Sequence, residues 1–544
     1  MPRRHDSCAT PQLYRAVNEV WEGPALIDDG ETVFGIRTIK WDPKNALTIN
    51  GNRTVIRGVN LHDDLGALGT AAFDAAIERR LKTLKEIGVN GIRTSHNPHA
   101  PALLDLCDRM GFVVFDEGFD KWSGFQTDGT GWDHDLSSFI KRDRNHPSVI
   151  IWSVGNEVQY QKMHEGALLY QAMSKAVRQL DPTRPVTVSL ERTRTVANKR
   201  NEWAPLPEMA NYMDVVSENY QTVFYARDHE KYPNKVLLGG EVEEVRTDLE
   251  PKDDRTAWFA TRDSVTNKYY DYVAGQFIWA GVDYLGESWR WPRKGFGNNL
   301  ITTAGFRTSF SPYVQSLYSD DPMVAIAVED PRYDSVPLGY FQGWHVQGAH
   351  WNWPDATKPL KVFTYTNAPV VELLLNGKSL GEKRLADFAN RIMYWEVPFA
   401  PGTLRALAKN DGKVVATYEL KTAGKPAAVE LKPDRGQLQA SGEDLSFVEV
   451  RLVDADGVVV PNVPTEVHFE VSGPGIIAGV DNGDLDSLEP YKGNQRETRD
   501  GRCLVILQSK RESGTIHLRA RADGLPETSV DIDVRPGGGP PTLP

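Results

Sequence analysis

Glu157 and Glu241 are the residues whose type and setting could do chemistry. The first closes the stretch Val149-Ile150-Ile151-Trp152-Ser153-Val154-Gly155-Asn156-Glu157. Its apolar run from Val149 to Trp152 gives way to a small turn residue, an amide and a carboxylate, which is how a fully buried parallel strand delivers a polar pair to its C-terminal mouth. Taken alone, the stretch reads equally well as a core strand that stops at an Asn-Glu turn. A second run, Val236-Leu237-Leu238-Gly239-Gly240-Glu241, also ends in a glutamate. Two carboxylates on two strand ends of one sheet are what cleavage of a glycosidic bond requires.

The elements that must position this pair follow from periodicity. After the Asn50-Gly51 hairpin signal, strand-like runs fall at 55–62, 89–95, 112–117, 149–157, 186–190, 215–220, 236–241 and 276–280. Helical spacing of Ile77, Leu81, Leu84 and Ile87, stopped by Gly88, separates the first two, and helices are expected at 165–180 and 256–269. Eight such units match a (β/α)8 TIM barrel of about 250 residues. A doubly wound sheet would show a glycine-rich phosphate turn after its first strand, and none is written here. In a barrel the strand ends share one face. Asn60/His62, Arg93/His96, Asp116/Glu117, Asn156/Glu157, Glu218/Tyr220, Glu241 and Trp279/Asp283 would converge there. Each alone reads as a capped turn or surface carboxylate; their joint placement is harder to dismiss. As a metal set, His62, Asp63, Asp64, His96 and His99 lack a helical His-x-x-x-His pair or a cysteine ligand, so neither metal nor cofactor is expected.

Composition narrows the partners. A chain of 544 residues is too long for one core. A net charge of −12 leaves no basic stripe for nucleic acid. Cys8, Cys107 and Cys503 are too few and too scattered for a disulfide framework, and no apolar run is long enough to span a membrane. No hydrophobic stretch follows Met-Pro-Arg-Arg, so the compartment stays open: cytoplasm for the chain as it stands, periplasm or exterior for a longer parent.

Gly58-Val59-Asn60-Leu61-His62, Ile92-Arg93-Thr94-Ser95-His96-Asn97-Pro98, Asp116-Glu117, Asn145-His146-Pro147-Ser148 to Asn156-Glu157, Asn219-Tyr220 and Gly275-Gln276-Phe277-Ile278-Trp279 together resemble glycoside hydrolase family 2. The resemblance implies a retaining exo-glycosidase acting on a glycoside or oligosaccharide; the oligomeric state stays open, a homo-oligomer among the alternatives. It implies Glu157 as acid/base, Glu241 as nucleophile and Asn156 on the sugar 2-hydroxyl. Tyr220 would lie beside the nucleophile and Trp279 would form a sugar platform. His62, Asp64, Arg93 and His96 would be further contacts. Glu157 would be held protonated at rest by the neighbouring charge. Two departures stand out: Gly240 occupies a position often filled by serine, and Glu243 and Glu244 crowd the nucleophile. Glu218 is therefore a rival for that role.

The remainder is β-rich. Residues 1–42 read as the last strands of an immunoglobulin-like sandwich, 43–322 as the barrel, 323–425 and 426–536 as immunoglobulin-like β-sandwiches, and 537–544 as a flexible tail. Family members usually carry a jelly-roll sugar-binding domain and a full immunoglobulin-like domain ahead of the barrel, so the chain reads as shortened at its front. The run Asp481-Asn482-Gly483-Asp484-Leu485-Asp486 has the density of a calcium loop but no closing glutamate, and a polar turn is the alternative. His350-Trp351-Asn352-Trp353 offers either sugar stacking or sandwich core. On the sugar itself, β-glucuronidases of the family use an Asn-x-Lys pair; between Gly281 and Leu300 stand Arg290, Arg293 and Lys294 but no such pair. β-Galactoside is the expectation, with glucuronide, mannoside, or carbohydrate binding without turnover as alternatives.

Overall fold

The computed structural model describes residues 11–122, 131–191, 203–242, 261, 269–288, 290–297, 299–333 and 346–537. The chain divides into two compact units, Met1–Asp63 with Val89–Arg246 and Lys252–Gly281, and Asp64–Gly88 with Thr247–Pro251 and Val282–Pro544.

The first unit contains a closed barrel of eight parallel strands. These are β1 (Ile56–Leu61), β2 (Gly91–Thr94), β3 (Val113–Glu117), β4 (Val149–Asn156), β5 (Val186–Leu190), β6 (Val215–Asn219), β7 (Val236–Val242) and β8 (Val273–Ile278). Nearly every residue in them is buried, which is why they read as continuous apolar runs rather than alternating ones. β8 begins three residues earlier than the sequence predicts. Gly275, at φ +129°, breaks the apolar run there, and a Cβ on it would lie 2.1 Å from the Ile56 carbonyl of the adjacent strand. The predicted helix at 165–180 is present as His164–Leu180; that at 256–269 lies almost wholly outside the described residues.

The small antiparallel sheet Ile39–Asp42, Ala46–Ile49 and Asn52–Arg53 closes the N-terminal end of the barrel. Ala46, Leu47 and Ile49 share one apolar cluster with Ile56, Val113, Ile150, Val215, Val236 and Ala274, residues at or next to the starts of their strands. The bottom is thus sealed with hydrocarbon, and the C-terminal mouth is left for polar groups. Ahead of this sheet, Leu13–Glu22 and Ala25–Gly35 pair as a largely exposed antiparallel hairpin.

The second unit holds two β-sandwiches. In one, sheets ordered Gln347–Gly348, Val324–Glu329, Leu360–Thr366, Met393–Val397 and Lys378–Arg384, Val370–Leu375, Thr403–Asn410, Lys413–Lys421 enclose one core. Trp351 and Trp353 are both buried in it, so that pair is packing rather than a sugar platform. The turn Asn376-Gly377 has φ +52° and +79°, the double left-handed geometry of a type I′ hairpin. In the other sandwich, a four-stranded and a five-stranded sheet share the core around Val450, Phe469, Val505 and Leu518. The acidic loop there is a succession of Asx turns: Asp481 accepts from the N–H of Gly483, Asn482 from that of Asp484, and Asp484 from that of Asp486. Helix Asp74–Ile87 follows β1 in sequence but belongs to this unit; its Gly88 cap, at φ +96°, has the Tyr318 carbonyl 2.9 Å from where a Cβ would stand.

Candidate active site

Glu241, at the end of β7, is 5% exposed, and each of its oxygens is held. Arg93 Nη1 donates to Oε1 at 2.9 Å, and the Tyr220 hydroxyl donates to Oε2 at 3.1 Å. His96 Nε2 lies 3.6 Å from Oε1. Burial pushes the Glu241 carboxyl up from the ordinary glutamate value; Arg93 and His96 pull it down and the charge of Glu157 adds to the rise, leaving it raised.

Arg93, from β2, is fully buried and spends its fork of donors on the whole mouth. Besides Glu241 it reaches Glu117 Oε2 at 2.8 Å, Asn156 Oδ1 at 2.9 Å and Asn60 Oδ1 at 2.9 Å. Burial acts to raise Glu117, but Arg93 and His96 outweigh it and its carboxyl is lowered. His96 Nδ1 sits 2.7 Å from Glu117 Oε1, and Ser153 donates to Oε2 at 2.7 Å. A buried cation is therefore matched by two buried carboxylates.

Glu157, following β4, is turned into the mouth by a left-handed backbone, φ +44°, with its N–H bonded to the Ser189 carbonyl of β5 at 2.8 Å. Its side chain is 22% exposed. Asn219 Nδ2 donates to Oε1 at 3.2 Å and to Asn156 Oδ1 at 3.1 Å. Lys121 Nζ donates to Oε2 at 3.2 Å.

The half-buried Trp279 stacks on His96 with centroids 5.2 Å apart and planes 6° off parallel, and His62 meets it edge-on at 5.3 Å. Burial, with His96 and His99 nearby, pushes His62 down to about 3, so its imidazole is neutral at working pH. Glu157, Glu241, His62, Arg93, His96, Asn156, Tyr220 and Trp279 are thus brought to one mouth. Asp64 is in the second unit, where it accepts from the backbone N–H of Gly66 at 3.2 Å and of Leu285 at 3.3 Å. Asp283 is also there, capping Asn299 N–H at 3.0 Å, with burial pushing it up to about 7. Glu218 is 1% exposed, one residue out of phase with Asn219, whose side chain reaches Glu157. Glu243 and Glu244 lie outside the described residues.

Gly240 has a packing reason. A Cβ there would lie 2.5 Å from Ser217 Oγ, 2.6 Å from Ser189 Oγ and 2.8 Å from Asn219 Oδ1, so the inward face of the barrel has no room for a side chain. Lys121 and Asp120 escaped the sequence reading; the available signal was a cation four residues past the strand-end carboxylate Glu117. Among the described residues, the cluster close enough to share an ion is Asp105, Asp108 and His146, in which Asp108 already bonds His146 Nδ1 at 2.7 Å and Ser148 N–H at 2.8 Å.

Known proteins show the same organisation. Residues 42–245 match the glycosyl hydrolases family 2 TIM barrel domain, 429–531 the glycoside hydrolase family 2 C-terminal domain 5, and 357–416 a domain of unknown function, DUF4982. A β-galactosidase of Bacteroides ovatus is 35% identical, the alignment covering 96% of this chain and 66% of the relative. A putative β-glucuronidase of Formosa agariphila is 28% identical over 92% of this chain and 50% of its own length. The chain thus spans between half and two thirds of these relatives. A crystal structure of a family 2 member from Bacteroides cellulosilyticus superposes with a TM-score of 0.84 at 33% identity, covering 96% of this chain and 67% of that one.

Proposed function

Because the chain belongs to glycoside hydrolase family 2, we propose that it removes terminal β-D-galactosyl residues with retention, by double displacement. The observation that carries this reading is the unequal treatment of two glutamates on one barrel mouth. Glu241, fixed through both oxygens by Arg93 and Tyr220, attacks the anomeric carbon as a carboxylate. Glu157, partly exposed beside Asn219, gives its proton to the departing oxygen and then takes one from the water that opens the glycosyl ester. Asn156, pinned by Arg93 and Asn219, holds the sugar 2-hydroxyl, and Trp279 with His62 and His96 forms the wall against which the ring rests.

The name of the Bacteroides ovatus relative supports galactoside as the sugar, whereas that of the Formosa agariphila relative supports glucuronide. Arg293 and Lys294, the cations named above as alternatives for meeting a glucuronate carboxylate, are engaged within the second unit: Arg293 lies 3.7 Å from Asp486, and Lys294 lies over the Tyr491 ring at 4.3 Å. That commitment favours the neutral sugar. A panel of p-nitrophenyl β-galactoside, β-glucuronide and β-mannoside, run with Glu157→Gln, Glu241→Gln and Glu218→Gln, tests the reading. Galactoside turnover that collapses in the first two variants and survives in the third is expected. Sugar binding without turnover of any glycoside would overturn it.

A further inference from the structure

Both oxygens of Glu157 accept from donors, Oε1 from Asn219 and Oε2 from Lys121, each at 3.2 Å. An ammonium offers donors and no acceptor, and so does an amide NH2 group. A carboxyl oxygen that carries a proton and presents it to a leaving group keeps only a weakened capacity to accept from either. Glu157 therefore serves as acid more readily when one of the two is drawn aside. Asn219 is buried and also anchored to Asn156. Lys121 has a side chain 42% exposed, on a flexible four-carbon stem. Lys121 is the group that moves.

Once drawn aside, its charge is met by solvent or by an anion at the mouth. Among the described residues the neighbouring carboxylate is Asp120, 3.8 Å from Nζ, which already accepts from Asn156 Nδ2 at 3.3 Å. The other charged side of the mouth, Arg93 with Glu117 and Glu241, is closed upon itself. Position identifies what could serve instead. The carboxyl that protonates the glycosidic oxygen stands at the leaving group, so a cation bonded to that same carboxyl stands there too, away from the sugar held over Glu241.

We propose that Lys121 forms a leaving-group subsite for an oxyanion, a carboxylate or sulfate carried by the aglycone or the next sugar. The inference rests on Glu157 being the acid/base, as proposed above. Such an anion draws the ammonium off Oε2 and balances its charge at the step where Glu157 must hold a proton; a neutral leaving group leaves Lys121 in place.

The test uses three aryl β-glycosides of the sugar selected by the panel, with 3-carboxyphenyl, 3-sulfophenyl and 3-(N-methylcarbamoyl)phenyl leaving groups. In the wild-type protein the two anionic substrates are expected to exceed the amide in kcat/KM by about tenfold, the value of one charge-assisted hydrogen bond. In Lys121→Met that ratio falls to about one, and Lys121→Arg keeps most of it. A preference for carboxylate and sulfate alike assigns a general oxyanion site, and a preference for one of them assigns that group. Equal rates in the wild type, or a preference that survives Lys121→Met, overturn the subsite while the glycosidase reading stands. No turnover of any of the three, with none in the panel, overturns both. Binding of the corresponding S-linked 3-carboxyphenyl and amide analogues to the Glu241→Gln protein reads the same ratio without chemistry, and equal affinities there would also sink the subsite.

Discussion

The ends of β4 and β7 carry the same side chain and treat it in opposite ways. Glu241 is sunk to 5% exposure and clamped by a buried arginine and a tyrosine hydroxyl. Glu157 is partly open, and one of its two partners is a lysine with 42% of its side chain exposed. A nucleophile works from one fixed geometry, so rigid donors on both oxygens suit it. An acid/base must alternate between donor and acceptor within one cycle, and the role proposed for Glu157 is matched by a half-exposed lysine partner. The contrast teaches that two glutamates on one mouth are held differently enough to suit the two different roles proposed for them.

The sharpest way to break the comparison is to remove each carboxylate and supply azide. Glu241→Gly should lose on the order of 10⁴-fold or more in kcat and recover with azide on an activated β-glycoside, giving the α-glycosyl azide, because the anion enters from the vacated face. Glu157→Ala should recover by giving the β-glycosyl azide, because it still forms the glycosyl-enzyme. NMR of the products separates the two. Reversed anomers would exchange the assignments, and rescue in Glu218→Gly alone would transfer the nucleophile to β6.

The clamp itself is the next test. Arg93→Met removes the only cation facing buried Glu117 and Glu241 among the described ion pairs that involve them, apart from His96. Leaving those carboxylates unpaired should cost about 3–5 kcal/mol of stability, read as a lowered urea midpoint. A loss confined to activity would mean that Arg93 serves the substrate rather than the architecture. Gly240→Ala should cost less, about 1–3 kcal/mol, with a fall in kcat as Asn219 is pushed from Glu157 by the new Cβ. A variant with wild-type stability and rate would show that the barrel interior yields there.

Much of this is legible in the sequence alone. The eight strands are fully buried, so their apolar runs stand out, and the residues that end them converge on one mouth. What stayed hidden is instructive. The sequence places the start of β8 late because Gly275 interrupts its apolar run. Asp64, grouped with His62 by sequence proximity, belongs to the other unit and caps loop N–H groups there. Gly240 looked like a departure until Ser217 and Ser189 were seen to fill the space. Lys121 gave no periodic signal at all, because its significance is a through-space pairing with a residue 36 positions away. Periodicity reports which face a residue occupies, and pairing across strands has no such trace.

The smallest expected effect concerns the tuning of the carboxylate at 241. Burial lifts the Glu241 carboxyl above the ordinary glutamate value, Arg93 and His96 oppose that rise, and the charge on Glu157 adds to it. The nucleophile acts only when ionised, so kcat/KM should fall as the pH drops through a value above the ordinary glutamate range. His96→Asn deletes one of the lowering influences, and the acid limb should then move to higher pH. The measurement needs a 2,4-dinitrophenyl glycoside, whose leaving group departs without a proton and so keeps the variant measurable. An acid limb that stays in place would mean that His96, 3.6 Å from Glu241 Oε1, does not tune the nucleophile's charge and belongs only to the wall of the site.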